Sequence, residues 1–366
     1  MPGTADPSRL SPLPRPAVSR LGWIDLAKGA CIVLVVLLHA TNFMVTRGMA
    51  DPWWRQINAV LEPVRMPLFF LTAGMVATGV LRVNFTELLR RRLLPLLYVY
   101  GLWVVLRFGY FTVFPAASGT AETSTPLNLL IATVVPTSGL WFLYALVVFA
   151  AAAWAMRHVP PVWQLLGAGA LALATPQLEA LDWTWHNMGT LLVFYLAGLH
   201  GSAVLRAAAP AVRIHHLGLA AAGFTILYAV SRHWAGPAIP TAALAVAISA
   251  VGVGAALMLA TRMEGARWLA PIRALGPRTL PIYLLHEIVL GSLLAAAAAA
   301  GVDFTGGVVQ ASGPVVVTVV ACIGSLLLHA VFVRHGAGWL FRLPVLRRAH
   351  RVRRGHPTPT RPQTLQ

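Results

Sequence analysis

The sequence predicts an all-α integral membrane protein with about ten transmembrane helices. Hydrophobic residues make up 58% of the 366 positions, which is enough for roughly ten spans of about 20 residues each. Charged residues make up only 11%, against about 25% in soluble domains, and they are grouped, so that long uncharged stretches separate them. This composition excludes a soluble globular enzyme and an intrinsically disordered protein.

The uncharged runs place the ten helices, and clusters of Pro, Gly, Asn and Trp divide the longer runs. The fifth helix is short because Thr175 and Pro176 close it, and a stretch with two prolines ahead of the fourth is predicted as a re-entrant or interfacial outer loop. The predicted helices cover residues 22–45, 60–81, 93–114, 139–156, 162–178, 189–205, 214–231, 239–261, 279–300 and 311–333.

Three segments follow from this division. We expect residues 1–20 to form a disordered cytoplasmic arm, residues 21–333 the membrane domain, and residues 334–366 a basic cytoplasmic tail. The apolar run after the arm lacks an Ala-x-Ala-type end, so we expect a permanent first span and not a cleaved signal peptide.

The basic residues predict the orientation in the cell membrane. If the helices alternate in direction, 23 of the 28 Lys and Arg residues fall on one side, which by the positive-inside rule is the cytoplasm. Both termini are then cytoplasmic. The net charge of +17 reflects this topology, so nucleic acid is not an expected partner, and the tail is expected to rest on anionic lipid headgroups.

Ionisable residues within the predicted spans are the candidates for function. A charge at the bilayer centre costs about 2.5–3.5 kcal/mol even on the permissive insertion scale, so such residues are functional by default. The two cysteines, Cys31 and Cys322, have no metal-ligand or disulfide spacing, and no metal is expected. The intramembrane ionisable residues are Asp25, Lys28, His39, Glu62, Arg65, Arg107, His200, His286, Glu287 and His329.

The first helix carries the most informative pair. Lys28 and His39 are 11 positions apart, about three turns and roughly 16 Å of rise, so both side chains lie on nearly the same face. Asp25 can pair with Lys28 at the cytoplasmic mouth, and Asn42 lies one turn beyond His39. The alternative is that Lys28 snorkels to the interface and that His39 only hydrogen-bonds a neighbouring helix.

Helix direction groups further residues at the depth of His39. Arg107, about 21 Å along the third helix from its cytoplasmic end, has no local carboxylate, which favours a role in an outer-half cavity. For Arg65, an ion pair with Glu62 is as plausible as a role in that cavity. Tyr283 and His286 lie one turn apart and either close the cavity or serve packing. The aromatic residues Trp53, Trp54, Trp183 and Trp185 fit an interfacial belt, with stacking on a sugar ring as the alternative.

Five segments together resemble the membrane-bound acyltransferase 3 family. They are RLGWIDLAKGACIVLVVLLHA, MPLFFLTAGM, RRRLLPLLYVY, GLWFLYALV and ALGPRTLPIYLLHEIVL, in the family's order, and the resemblance covers residues 20 to about 333. It implies a ten-helix enzyme that transfers an acyl group, such as acetyl or succinyl, from cytoplasmic acyl-CoA to a hydroxyl of a sugar, an exported glycan or a secondary metabolite. Acyl-CoA is a co-substrate, and no cofactor is implied.

The resemblance also assigns roles to residues. Lys28 and His39 match the family's basic residue, ten intervening residues and histidine, although arginine is more usual at the first position and lysine lacks its bidentate fork. The donor phosphates would lie near Lys28, with Asp25 beside it, and near the run Arg90, Arg91 and Arg92, which lacks the family's spaced pair of arginines. Ala73 stands where the family has serine before Gly74.

The same assignment gives a mechanism. A buried His39 stays neutral because desolvation disfavours the imidazolium, so it can take a proton from the acceptor hydroxyl. Arg107 or the indole N–H of Trp141 would stabilise the oxyanion. Direct transfer and an acyl-histidine intermediate are both open.

A secondary transporter that uses the intramembrane His and Arg residues as a proton or anion relay is the alternative function. The sequence shows no interrupted helices repeated in two related halves, which disfavours it. A noncatalytic scaffold leaves the buried ionisable residues unexplained.

Overall fold

The computed structural model describes residues 22–117, 126–136, 139–304 and 306–344. The N-terminal arm and most of the C-terminal tail lie outside these residues. Helices account for the regular structure of the described part. The ten main helices are α1 (Gly22–Thr46), α2 (Trp53–Met75), α3 (Leu94–Val113), α4 (Trp141–Ala155), α5 (Pro161–Ala174), α6 (Trp183–Ala208), α7 (Ile214–His233), α8 (Ala238–Met263), α9 (Thr279–Ala299) and α10 (Gly307–Arg334).

Each of the ten predicted helices has a counterpart, and the all-α membrane fold is confirmed. The largest differences concern α2 and α6. α2 ends at Met75 and not at 81, and polar residues obscured the starts of both helices. α2 begins at Trp53 and not at 60, and its early polar side chain Asn58 is buried and hydrogen-bonded. α6 begins at Trp183 and not at 189, because the Asp182 side chain accepts a hydrogen bond from Thr184 N at 2.8 Å and so caps the helix.

Seven helical segments in the described part are long and apolar enough to cross a membrane. They contain α1, α3, α6, α7, α8, α9 and α10. The apolar α4 has only 15 residues, α5 has 14, and α2 carries Arg55, Glu62 and Arg65. The count of ten spans and the orientation of the termini therefore stay predictions.

Helix α1 lies at the centre of the bundle and contacts α2, α8, α9 and α10. Beside it, α2 packs closely on α6 through two glycines. A Cβ at Gly74 would overlap the Tyr195 carbonyl oxygen, and a Cβ at Gly198 would overlap that of Leu71. Small residues allow such close backbone approach between membrane helices, where packing and not the hydrophobic effect drives association. The contact fixes α2, which carries several site residues, against the bundle.

We expect reporter fusions to place the two ends of the bundle on opposite sides of the membrane. The excess of basic residues predicts that a fusion after Arg354 reports the cytoplasm. A fusion within residues 118–124, at the opposite end of α3 from the arginine run, should report the outside. An outer location for the C-terminal reporter would contradict the predicted orientation.

Candidate active site

Two cavities enter the bundle from different ends. The larger, of about 760 Å³, is lined by His39 and by residues of α2, α6 and α8, and we call it the histidine cavity. The smaller, of about 240 Å³, lies towards the arginine-rich end, and we call it the basic cavity. Phe69 and Tyr283 line both. The histidine cavity is lined by His39, Glu62, Arg65, Trp141, Trp183 and Arg232 among others, and the basic cavity by Lys28, Arg92, Phe142, Leu146, Tyr195 and Leu280 among others.

The sequence on one face of α1 explains why a single helix serves both cavities. Lys28 lies in the wall of the basic cavity, and His39 lies in the wall of the histidine cavity. Their separation of 11 residues in a continuous helix spans about 16 Å. α1 therefore places the Lys28 cation in one cavity and the His39 imidazole in the other, at two different depths of the bundle.

A buried carboxylate stands behind His39. Glu287 of α9 is 2% exposed, and its Oε2 accepts a hydrogen bond from Arg107 Nη2 of α3 at 2.5 Å. Its Oε1 lies 3.7 Å from His39 Nε2 and 3.8 Å from His286 Nε2. A Cβ at position 139 would overlap the carboxylate, so Gly139 leaves the room that Glu287 occupies here. The cluster thus brings α1, α3 and α9 together around one buried carboxylate.

The neighbouring His286 has a defined orientation. Its Nδ1 lies 3.0 Å from the Ile282 carbonyl oxygen and 2.8 Å from that of Tyr283. Carbonyl oxygens only accept, so Nδ1 carries the proton and Nε2 presents a lone pair. Neither this Nε2 nor Glu287 Oε1 has a hydrogen-bond partner among the described residues. Within the described part, both acceptor atoms therefore lack a hydrogen-bond donor. The His39 ring, with its centroid 5.0 Å from that of His286, is close enough to supply an N–H group.

The same three side chains are the candidate metal ligands of the described part. One ligand atom each from His39, His286 and Glu287 lies within 4.8 Å of the others, and two histidines with a carboxylate are a known zinc set. Arg107 already neutralises Glu287, however, so a divalent ion would have to sit beside a buried guanidinium. The charge balance favours a proton over a metal ion at this point.

The basic cavity owes its second cation to local helix geometry. A turn of π-helix spans Leu89–Leu93 just before α3, and such turns change which side chains face a site. Arg92 lines the cavity, and its Nη2 donates to the Val76 carbonyl at 3.0 Å. The Arg91 side chain is 77% exposed and pairs with Glu87 at 2.9 Å.

Comparison with known proteins identifies the family. Residues 21–334 match the acyltransferase domain that defines the acyltransferase 3 family. The chain belongs to the acyltransferase 3 family. The chain is also similar to the inner membrane protein YcfT of Escherichia coli (strain K12), with 24% identity over 292 residues that cover 73% of this chain and 79% of YcfT. No solved structure is detectably similar to it.

Membership confirms the resemblance inferred from the sequence, and it establishes the chain as a multi-pass cell-membrane protein of an acyltransferase family. The five site residues that the structure gathers around the histidine cavity are His39, Glu62, Arg65, Trp141 and Tyr283. His286 does not line this cavity but packs against the ring of His39 from the buried side. The predicted site residues of the acyltransferase 3 chain thus converge from α1, α2, α4 and α9.

Two expectations for the cavity are corrected. Because Arg107 has no local carboxylate, it was expected to act in the cavity, but it pairs with the distant Glu287, 180 positions along the chain, and it is not among the residues that line the cavity. Asn42 is exposed and does not line the cavity either. Three residues advance a helix by about 300°, so Asn42 is about 60° away from His39 around α1, and this turns it out of the site.

Arg65 is held in a way that the sequence did not suggest. Its Nη1 donates to the Leu34 carbonyl at 3.3 Å and to Asn58 Oδ1 at 3.1 Å, and Asn58 donates in turn to Thr41 Oγ1 at 3.0 Å. These bonds, and not the ion pair with Glu62 that we considered, fix the guanidinium. Asn58 was missed because the predicted second helix began two residues after it.

Further placements differ from the predicted donor site and aromatic belt. Of the three consecutive arginines, Arg92 lines the basic cavity, whereas Arg90 and Arg91 are exposed and Asp25 lies outside the lining. The tryptophans of the predicted aromatic belt also lie in different environments. Trp54 is buried, with its indole N–H donating to the Ala311 carbonyl, while Trp183 lines the histidine cavity.

Proposed function

We propose that this chain is a membrane O-acyltransferase that transfers an acyl group from cytoplasmic acyl-CoA to a hydroxyl of a sugar, an exported glycan or a secondary metabolite. One observation carries the proposal. Lys28 and His39 lie on the same helix but open to two cavities, which meet at Phe69 and Tyr283. An anionic donor can thus enter at one end, and an acceptor can enter at the other.

The donor binds through its phosphates in the basic cavity. Lys28 and Arg92 supply cations at the end of the bundle where the predicted cytoplasmic charges lie. Phosphate oxygens form strong, charge-assisted hydrogen bonds with such groups. Apolar side chains such as Leu146 and Leu280 line the rest of this cavity and suit the uncharged pantetheine arm. The thioester then points along α1 towards His39.

His39 acts as the general base. The mechanism places the proton on Nε2, which lies 3.7 Å from the Glu287 carboxylate oxygen Oε1, and the Nδ1 lone pair takes the proton of the acceptor hydroxyl. The alkoxide oxygen attacks the thioester carbonyl and forms the new C–O bond. The C–S bond then breaks, and the leaving thiolate takes the proton from His39, which gives an ester and free CoA.

Trp141 and Arg107 have different roles in this mechanism. The indole N–H of Trp141, in the wall beside His39, donates to the oxyanion that forms on the thioester carbonyl. Arg107 holds Glu287, which in turn orients the imidazole, so it acts through another residue and not on the substrate. This division replaces the expectation that Arg107 could bind the oxyanion directly.

The acceptor occupies the histidine cavity. Trp141 and Trp183 form an edge-to-face pair with ring centroids 5.7 Å apart, and aromatic faces of this kind pack against the apolar face of a sugar. His186, Asn187 and Thr190 of α6 provide polar groups in the same wall. This mixture favours a polyhydroxylated acceptor over a purely apolar one.

Release of free CoA tests the enzyme against the alternative of a secondary transporter. We expect the purified full chain, given acetyl-CoA and candidate sugar acceptors, to liberate the CoA thiol in step with ester formation. A transporter or a scaffold consumes no thioester. Movement of acyl-CoA or of an acceptor across vesicles without release of the thiol would favour the transporter.

Replacing Lys28 should weaken donor binding. Lys28→Ala removes a phosphate-binding cation, so we expect the KM for acyl-CoA to rise by about tenfold with little change in the KM for the acceptor. Lys28→Arg should keep or improve activity, because the guanidinium adds a bidentate fork. Steady-state kinetics with the donor varied give the measurement.

Arg91→Ala is the matched control for the donor site. Arg91 is one position from Arg92, but its side chain is 77% exposed and pairs with Glu87. Its removal should leave donor kinetics unchanged, whereas Arg92→Ala should act like Lys28→Ala. Unaltered donor kinetics in Lys28→Ala would contradict the assignment.

A further inference from the structure

Three aromatic rings lie where the two cavities meet. Phe69 of α2 and Tyr283 of α9 line both cavities, and Phe142 of α4 lines the basic cavity between them. The Phe69 and Phe142 rings are stacked with centroids 4.5 Å apart, and the Phe142 and Tyr283 rings meet edge to face at 5.7 Å. We call these three residues the aromatic gate.

The gate is held together by hydrogen bonds as well as by ring contacts. The Tyr283 hydroxyl donates to the Gly139 carbonyl at 2.6 Å and accepts from Phe142 N at 3.2 Å. It therefore ties the start of α4 to α9 and fixes the backbone that carries the Phe142 ring. Since the three touching rings come from three helices, the width of the passage beside them depends on side-chain size and not on one loop.

The position of the gate determines what it can select. If the thioester carbonyl is to reach His39 from the basic cavity, the acyl group must pass the gate ahead of it. Beyond the gate lies a cavity of about 760 Å³, which has room for a longer chain. The length of the acyl chain is therefore a weak criterion for selection at the gate, and the width of the chain is a strong one. A linear acyl chain has the same cross-section at every carbon, but a branch beside the carbonyl widens it.

We propose that Phe69, Phe142 and Tyr283 select acyl donors by their width at the carbon next to the carbonyl, admitting linear acyl groups and rejecting α-branched ones. This inference rests on the proposed acyl transfer and adds the determinant of donor specificity. Pockets that discriminate by a single methyl group typically do so by about 10–200-fold, and the gate should act within this range.

The test compares two isomeric donors. Butyryl-CoA and isobutyryl-CoA have the same composition and charge, and they differ only in branching. The assay uses membrane vesicles, because they contain the native acceptor. The vesicles come from source cells that lack the chromosomal copy of the gene and carry the full chain on a plasmid. Vesicles with His39→Ala give the background. We expect kcat/KM, measured as thiol release, to favour butyryl-CoA by about tenfold or more in the wild type.

Widening the gate should reduce this preference. We expect Phe142→Ala to lower the butyryl-to-isobutyryl ratio by about fivefold or more. Phe142→Leu keeps an apolar side chain, preserves more of the packing, and should change the ratio less but in the same direction. Phe149→Ala is the matched control. Phe149 lies on the same helix, is also buried and packs on Phe70 and Tyr195, but it lines neither cavity.

The outcomes separate the gate from the enzyme. Equal wild-type rates with the two donors, or equal shifts in Phe142→Ala and Phe149→Ala, would overturn the gate while leaving acyl transfer intact. A wild type that releases no thiol from either donor above the His39→Ala background would overturn the proposed function, and the gate with it. A shift confined to the Phe142 variants supports the gate.

Discussion

Acyl transfer should be lost when His39 becomes alanine or glutamine, by about 10²–10⁴-fold or more, because general-base catalysis contributes this much. Glutamine keeps a hydrogen-bonding group but has no basic nitrogen, so it should be no better than alanine. If His39 also carries the acyl group, the loss is larger. Release of the CoA thiol by the purified variants, compared with the wild type at saturating donor, gives the measurement.

The same variants should remain folded, which separates catalysis from stability. The His39 side chain is 24% exposed and lines a cavity, so its removal leaves no tightly packed hole. We expect the yield and the thermal midpoint in detergent to stay near the wild-type values. If His39→Gln retains near-normal turnover, His39 only forms hydrogen bonds, and the base must be sought at Glu62 or His286.

The sequence is sufficient to predict the main helices and the α1 face because both depend on local patterns. Uncharged runs bounded by breakers mark helices, and a spacing of 11 residues puts Lys28 and His39 on one face regardless of their surroundings. Both residues indeed line cavities. The helix starts were harder to predict. A polar side chain such as Asn58 resembles a loop residue until its hydrogen-bond partners on other helices are known.

The part of the site that the sequence did not predict depends on contacts between distant segments of the chain. Arg107 appeared unpaired because its carboxylate lies 180 positions away, and no periodicity relates α3 to α9. Arg92 could not be distinguished from Arg90 and Arg91, since the π-helical turn that selects it arises within a uniform basic run. Glu287 was visible in the sequence as an intramembrane acid, but only the packing of three helices gives it a role.

The second large effect concerns Glu287 and Arg107. Each side chain is 2% exposed, and removal of one partner of a buried ion pair typically costs about 3–5 kcal/mol because it leaves a buried charge uncompensated. We therefore expect Glu287→Met and Arg107→Met each to lower the thermal midpoint strongly. Glu62→Ala is the control, since this carboxylate is exposed in the histidine cavity, and surface changes usually stay within about 0.5 kcal/mol.

The double variant Glu287→Met with Arg107→Met separates the two functions of the pair. It removes both charges and restores apolar packing, and such replacements of buried ion pairs are often neutral or stabilising. We expect it to regain most of the thermal stability that either single variant loses. Thiol release should nevertheless stay low, because His39 Nε2 no longer faces a carboxylate and the lone pair on Nδ1 is no longer ensured. A stable double variant with wild-type turnover would show that the pair serves folding alone, whereas a stable but inactive one assigns Glu287 to the orientation of the catalytic histidine.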